Sequence, residues 1–165
     1  MNWLKHLSIY IFILIYSFGN AQNLVKIKLN IKLRPIEHYR HHLKGCDVIT
    51  YKDNLMIDSA RLSGYTFKNK IKSTGFYKIQ FKKKGYVTKY IVINANNLPI
   101  NRRNKYKLKA QLSLFRYSEK EDVKFLEKEP ISIAYYNQIS GDLIWDFEYN
   151  RSIIEKIIHA QTKGK

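Results

Sequence analysis

From residue 24 onward, apolar and polar positions alternate with a period of two, and that period fixes the elements expected along most of the chain. Residues 24–33, LVKIKLNIKL, set Val25, Ile27, Leu29, Ile31 and Leu33 on one side and Lys26, Lys28, Asn30 and Lys32 on the other. This is the signature of a half-buried strand, and Arg34-Pro35 ends it. The polar stretch IEHYRHHLKG leads to a short strand at 46–51, closed by Lys52-Asp53-Asn54, and a second at 55–62, followed by the turn signal Ser63-Gly64. Tyr65, Phe67 and Ile71 then alternate with Thr66, Lys68, Lys70 and Lys72. The stretch FYKIQFKKKGYVTKYIVI, 76–93, is split by Lys83-Lys84-Gly85 into two strands, with Tyr77, Ile79 and Phe81 as the core face of the first. After a polar connection containing Pro99, Tyr106, Leu108, Ala110, Leu112 and Leu114 face away from Lys105, Lys107, Lys109 and Gln111 in a long strand.

The pattern changes beyond residue 118. The segment 119–129 is charged, with a helical turn expected around 123–126, and Pro130 closes it. Residues 131–136 and 143–147 make a hairpin around Ile139-Ser140-Gly141-Asp142. After Asp146 the period becomes helical, with Tyr149, Ile153, Ile154, Ile157 and Ile158 on one face. About seven short strands with turns between them predict an all-β fold, an antiparallel β-sandwich carrying a C-terminal hairpin and short helix. Residues 22–118 would form the sandwich, with 119–165 packed on the same domain.

The start of the chain reads differently. Lys5 and His6 precede an uncharged apolar run at 7–18, followed by Gly19, Asn20, Ala21 and Gln22. A basic start, an apolar run of about a dozen residues and small residues before the cut describe a secretory signal peptide. The run is short of the roughly 20 residues a spanning helix needs. Cleavage is expected after Ala21, which makes 1–21 a leader and the protein an exported one, periplasmic or at the cell surface. Cys46 is the single cysteine, so no intrachain disulfide can form, and a small buried side chain near a strand start is the expected role.

Residues 75–98, GFYKIQFKKKGYVTKYIVINANNL, resemble the G-x-Y-x-I-x-F-x-K-x-GY-x-x-K-x-I-x-I pattern of exported Bacteroidetes-type proteins with a carboxypeptidase-regulatory-like, transthyretin-like domain. Asp146 and Tyr149 in WDFEY, after the proline-led strand at 130–135, are similar to the tail of the same group. The Gly-rich opening of that group is missing, and Asp53-Asn54 and Ser63-Gly64 stand where its turns fall. The resemblance implies a β-sandwich adhesion, scaffold or accessory module with no shared catalytic residues.

Charge adds a functional expectation. The net charge is +17, from 30 basic and 13 acidic residues, and no acid occurs between Asp58 and Glu119 while 15 lysines and arginines do. Strand alternation points Lys68, Lys70, Lys72, Lys78, Lys82, Lys105, Lys107 and Lys109 away from the apolar side. If their strands are neighbours, these lysines form a basic sheet face suited to an anionic partner, either an envelope polyanion or an acidic protein. Outward lysines also serve solubility and edge protection. A specific nucleic-acid contact is not expected, because no nucleic-acid module appears.

The competing chemistry is thinner. His38, His41 and His42, with Glu37 nearby, form the one metal-like grouping, an alternative that would make the chain a metal-binding or hydrolytic protein. Four ligands are not apparent there, and Arg40 and Lys44 add positive charge. Asp142, Asp146 and Glu148 could supply paired carboxylates, although turn and cap chemistry accounts for the two aspartates equally well. No G-x-S-x-G, H-E-x-x-H, phosphate loop or C-x-x-C occurs. The expectation is therefore a non-catalytic protein with no cofactor.

Overall fold

The computed structural model describes residues 25–35, 43–99, 105–116 and 123–163. Nine strands occupy them: β1 (Lys26–Pro35), β2 (Asp47–Lys52), β3 (Leu55–Arg61), β4 (Thr66–Ile71), β5 (Phe76–Lys82), β6 (Lys89–Asn94), β7 (Lys105–Leu114), β8 (Ser132–Asn137) and β9 (Asp142–Trp145). A 3-10 turn at Lys124–Glu127 and a C-terminal helix, α1 (Phe147–Lys163), complete the set. The strands form a three-stranded sheet, β4-β1-β7, and a six-stranded sheet, β3-β2-β5-β6-β8-β9.

The fold is the expected all-β sandwich with a C-terminal helix, but it is not wholly antiparallel. β1 runs parallel to β7 over ten residue pairs, from Lys26 opposite Lys105 to Pro35 opposite Leu114, and β6 runs parallel to β8. Chain order explains the second pairing. From β6 the chain crosses to the other sheet as β7 and then returns as β8, so the two neighbours point the same way. A parallel pair needs such a crossover, and a hairpin-by-hairpin reading of turns cannot supply one.

The core is built from the alternation. Val25, Ile27, Leu29, Ile31 and Leu33 of the first apolar series are all buried, as are Leu108, Leu112 and Leu114 from β7 and Tyr77, Ile79 and Phe81 from β5. Each such side chain contributes about 1.5–3 kcal/mol when fully buried. Edge-on aromatic contacts join the sheets, Phe67 to Phe81 at 6.0 Å and Tyr106 to Tyr136 at 6.2 Å. At the β7 edge, Trp145 Nε1 of β9 donates to the Lys109 carbonyl at 2.9 Å.

Local chemistry fixes the turns. Asp53 and Asn54 both have positive φ, 50° and 68°, and make the two-residue link between β2 and β3, the geometry that suits the twist of a hairpin. Gly75 has φ +141°, a backbone angle that favours glycine, while a Cβ there would meet the movable end of the Lys52 side chain, 2.6 Å away at Cε.

A sheet of three strands cannot cover one of six. β3, at the outer edge, exposes all seven of its side chains, including Leu55 and Met56. A register shift between Thr50 and Tyr51 leaves Ile57 without a partner, and Arg61 pairs with Asp47 at 2.9 Å. Bulges and charges of this kind blunt an edge against pairing with another strand.

The helix buries Ile153 and Ile157 against Val87, Val123 and Leu126 in a second, smaller cluster. Its sequence face was expected to be wider: Ile154 and Ile158 are each 55% exposed. The helix rests on the sandwich through one stripe, so only one residue per turn is covered. Cys46 is fully buried, and burial pushes its thiol up to about 11, which leaves it unreactive. No helix among the described residues is long and apolar enough to cross a membrane.

Candidate functional site

The outer face of the three-stranded sheet gathers most of the lysines expected to act together. Inward positions of β1, β4 and β7 are apolar except Asn69 of β4, so the alternate positions must point out. Lys68 and Lys70 from β4 and Lys105, Lys107 and Lys109 from β7 are all exposed, and Lys72 lies exposed one residue past β4. β1 is the strand between them. It adds Lys26, Lys28, Lys32 and Arg34, also exposed, which the expected set did not include. Their alternation was visible in LVKIKLNIKL, but their place beside β4 and β7 depends on the parallel β1–β7 pairing.

Register aligns these charges in rows across the strands. Lys28 stands opposite both Lys70 and Lys107, Lys26 opposite Lys105, and Asn30 opposite both Lys68 and Lys109. Adjacent strands lie about 4.8 Å apart, and successive outward residues about 6.8 Å apart along a strand. No acidic residue belongs to β1, β4 or β7. Like charges directly opposite one another destabilise a sheet, so this arrangement costs stability in the isolated protein. Lys28, Lys68, Lys70, Lys107 and Lys109, together with Asn30, line a depression of about 650 Å³.

Two of the expected residues lie elsewhere. Lys78 and Lys82 belong to β5 of the six-stranded sheet and point from its outer side, so they are not part of the cationic face. The reason is topological, because β5 pairs with β2 and β6. The Lys78 ammonium also has a local role, 4.3 Å from the centre of the Tyr90 ring and 5.9 Å from that of Tyr51.

A further lysine was missed altogether. Lys89 is fully buried, in phase with the inward Ile91 and Ile93 of β6. Its Nζ donates to the Ser113 carbonyl at 2.7 Å and lies 3.2 Å from the centre of the Phe115 ring. Desolvation lowers its pKa to about 7. The signal was a lysine falling on the apolar phase of VTKYIVI.

The other candidates are occupied by structural work. Asp146 Oδ1 accepts the Tyr149 N–H at 2.9 Å and Asp142 Oδ1 accepts the Leu143 N–H at 2.8 Å, as a helix cap and a turn. Tyrosine hydroxyls close on carbonyls, with Tyr77 donating to Ser73, Tyr90 to Lys128 and Tyr149 to Pro130. Burial, with Glu129 and Tyr90 close by, pushes Tyr149 up to about 12. Among the described residues no three His, Cys, Asp or Glu side chains are grouped to hold a metal. His38, His41 and His42 lie outside the described residues, as does segment 1–21, expected from sequence as a leader.

Fold and face together define a β-sandwich with one acid-free cationic sheet surface. The chain matches no protein-family model and no curated protein.

Proposed function

We propose that this chain is a non-catalytic binding module of a bacterial envelope, exported by its leader-like start, that contacts an anionic partner through the outer face of β4-β1-β7. The observation that carries this reading is the in-register rows of lysines with no acid in any of the three strands. Lysines kept only for solubility gain nothing from facing one another, whereas a focused cationic field raises the local concentration of polyanions. The apolar run before Gly19 and the similarity of residues 75–98 to exported carboxypeptidase-regulatory-like domains support an envelope setting.

The test is retention on beads coated with lipopolysaccharide. Retention should fall steeply as salt rises from about 50 to about 300 mM, where screening shortens the reach of exposed charges. A Lys28→Glu/Lys70→Glu/Lys107→Glu variant should elute early at every salt concentration. Lys82→Glu, on the other sheet, should behave as the native protein does. Retention indifferent to both salt and the triple reversal would reduce the face to a solubilising surface.

A further inference from the structure

We infer that the depression around Asn30 is a discrete site for a compact oligophosphate, meaning a ligand that holds two or more phosphoryl groups side by side. This rests on the reading of the face as an anion-binding surface and narrows it to one place and one chemistry. On the central strand Asn30 is flanked by Lys68 on β4 and Lys109 on β7, and the next row along is Lys70, Lys28, Lys107. Five long side chains therefore surround one short one. The hollow of about 650 Å³ lies among these side chains over the shorter amide, and Leu29 and Leu108 contribute to its lining although their side chains are buried.

Three features select the ligand. The five ammonium groups have neither a carboxylate nor a hydrogen-bond partner among the described residues. They are rooted within a patch about 10 Å by 7 Å, from the strand and residue spacings. That is close to one Debye length, about 8 Å at physiological salt, so a dense anion feels all five at once and a chain of widely spaced charges does not. Lysine acts as a point charge with freely turning donors, which phosphate oxygens can accept from any direction. The Asn30 amide adds a neutral donor at the centre.

Titration calorimetry with tripolyphosphate, on the purified protein, tests the site. One ligand should bind per chain. Asn30→Leu keeps every charge and nearly the same side-chain shape but removes the central amide, and should weaken binding about fivefold or more, as loss of a central donor implies. Lys28→Gln should weaken it by at least as much, and Lys32→Gln, outside the hollow on the same strand, by about twofold or less. Asn30→Asp separates a binding role from a structural one. A carboxylate between Lys68 and Lys109 should raise the melting temperature while abolishing tripolyphosphate binding.

A second arm identifies the source of the phosphates. If tripolyphosphate displaces the protein from phosphatidylcholine vesicles containing a bisphosphorylated lipid, the site accepts clustered headgroups. If the protein binds tripolyphosphate but ignores those vesicles, its ligand is a soluble oligophosphate. The inference fails if citrate binds as tightly as tripolyphosphate, if several ligands bind per chain, or if Asn30→Leu binds normally. In those cases salt-sensitive retention on lipopolysaccharide beads would still uphold the wider face. Loss of that retention as well would remove both.

Discussion

Lys28 and Lys89 are the same side chain in opposite settings. Lys28 stands on the outer side of β1 among like charges, exposed to water and without a partner carboxylate among the described residues. Lys89 lies between the sheets with a single carbonyl acceptor and the face of Phe115. Water and salt screen the first group, so its repulsions are weak and confined to its neighbours. The second has lost its water, so its cost is local and large. One kind of lysine shapes what the protein attracts, and the other shapes how firmly β6 and β7 are held together.

The sharpest way to break the comparison is to reverse the charge at each position. Lys89→Glu would set a carboxylate against the Ser113 carbonyl and the electron-rich face of Phe115, so every neighbour becomes unfavourable. The expected loss is about 3–5 kcal/mol in urea unfolding. Lys28→Glu would instead lie between Lys70 and Lys107 and turn two repulsions into attractions, a gain of about 0.2–1 kcal/mol for each pair. Equal losses at the two sites would mean that the outer rows contribute to the fold in a way their geometry does not indicate.

A second separation uses pH. The folded pKa of Lys89 is near 7, against 10.5 for an unburied lysine. Between those values the unfolded chain binds a proton that the folded chain lacks, so stability attributable to this residue rises with pH through that window. Below about 7 both states are charged and the full burial cost applies, while above about 10.5 both are neutral and it vanishes. Lys89→Met should therefore be more stable than the native protein at pH 6.5, by up to about 5 kcal/mol, less whatever the Phe115 ring returns to the cation. The advantage should shrink to the small residual of a methionine-for-lysine swap as pH approaches 10.5. A difference that stays constant over that range would show that the ammonium is not desolvated in solution.

These two lysines also mark what sequence makes legible. The strands, their inward faces, the 3-10 turn and the helix follow from local alternation, because a side chain's direction depends only on its own backbone. Leu24-to-Leu33 alternation needed no partner to show that Val25 and Ile27 go in. The binding face is different, since it depends on which strands are neighbours. Grouping Lys68, Lys70, Lys105, Lys107 and Lys109 around β1 required the parallel β1–β7 pairing, a crossover that leaves no mark on turn residues. The same gap admitted Lys78 and Lys82, which share the outward phase but belong to the other sheet. Lys89 was readable from its phase alone, but a charge on the core side contradicts the usual price of burial, and composition gave no hint of the Phe115 face that receives it. Ile154 and Ile158 went wrong for a related reason: helical periodicity shows which residues could face a core, and the sandwich offers this helix only a narrow one.

The smallest effect is the one that tests whether the outer rows act as a group. Raising sodium chloride from about 20 to about 300 mM shortens the Debye length from roughly 20 Å to about 6 Å, which should relieve the repulsion among Lys26, Lys28, Lys70, Lys105 and Lys107. For a chain of this size a gain near 1 kcal/mol corresponds to about 2–4 °C in melting temperature. Chloride is the right anion, because sulfate or phosphate would stabilise by exclusion from the surface and could occupy the hollow. Lys28→Gln removes the central charge of its row and should cut the salt-dependent gain by about a third or more, since it takes part in both cross-strand repulsions. Lys89→Met should keep the whole salt dependence, because a buried ammonium is little screened. If the two variants lost equal shares of it, the repulsion would belong to the net charge of +17 spread over the molecule, and the rows across β4, β1 and β7 would have no separate energetic identity.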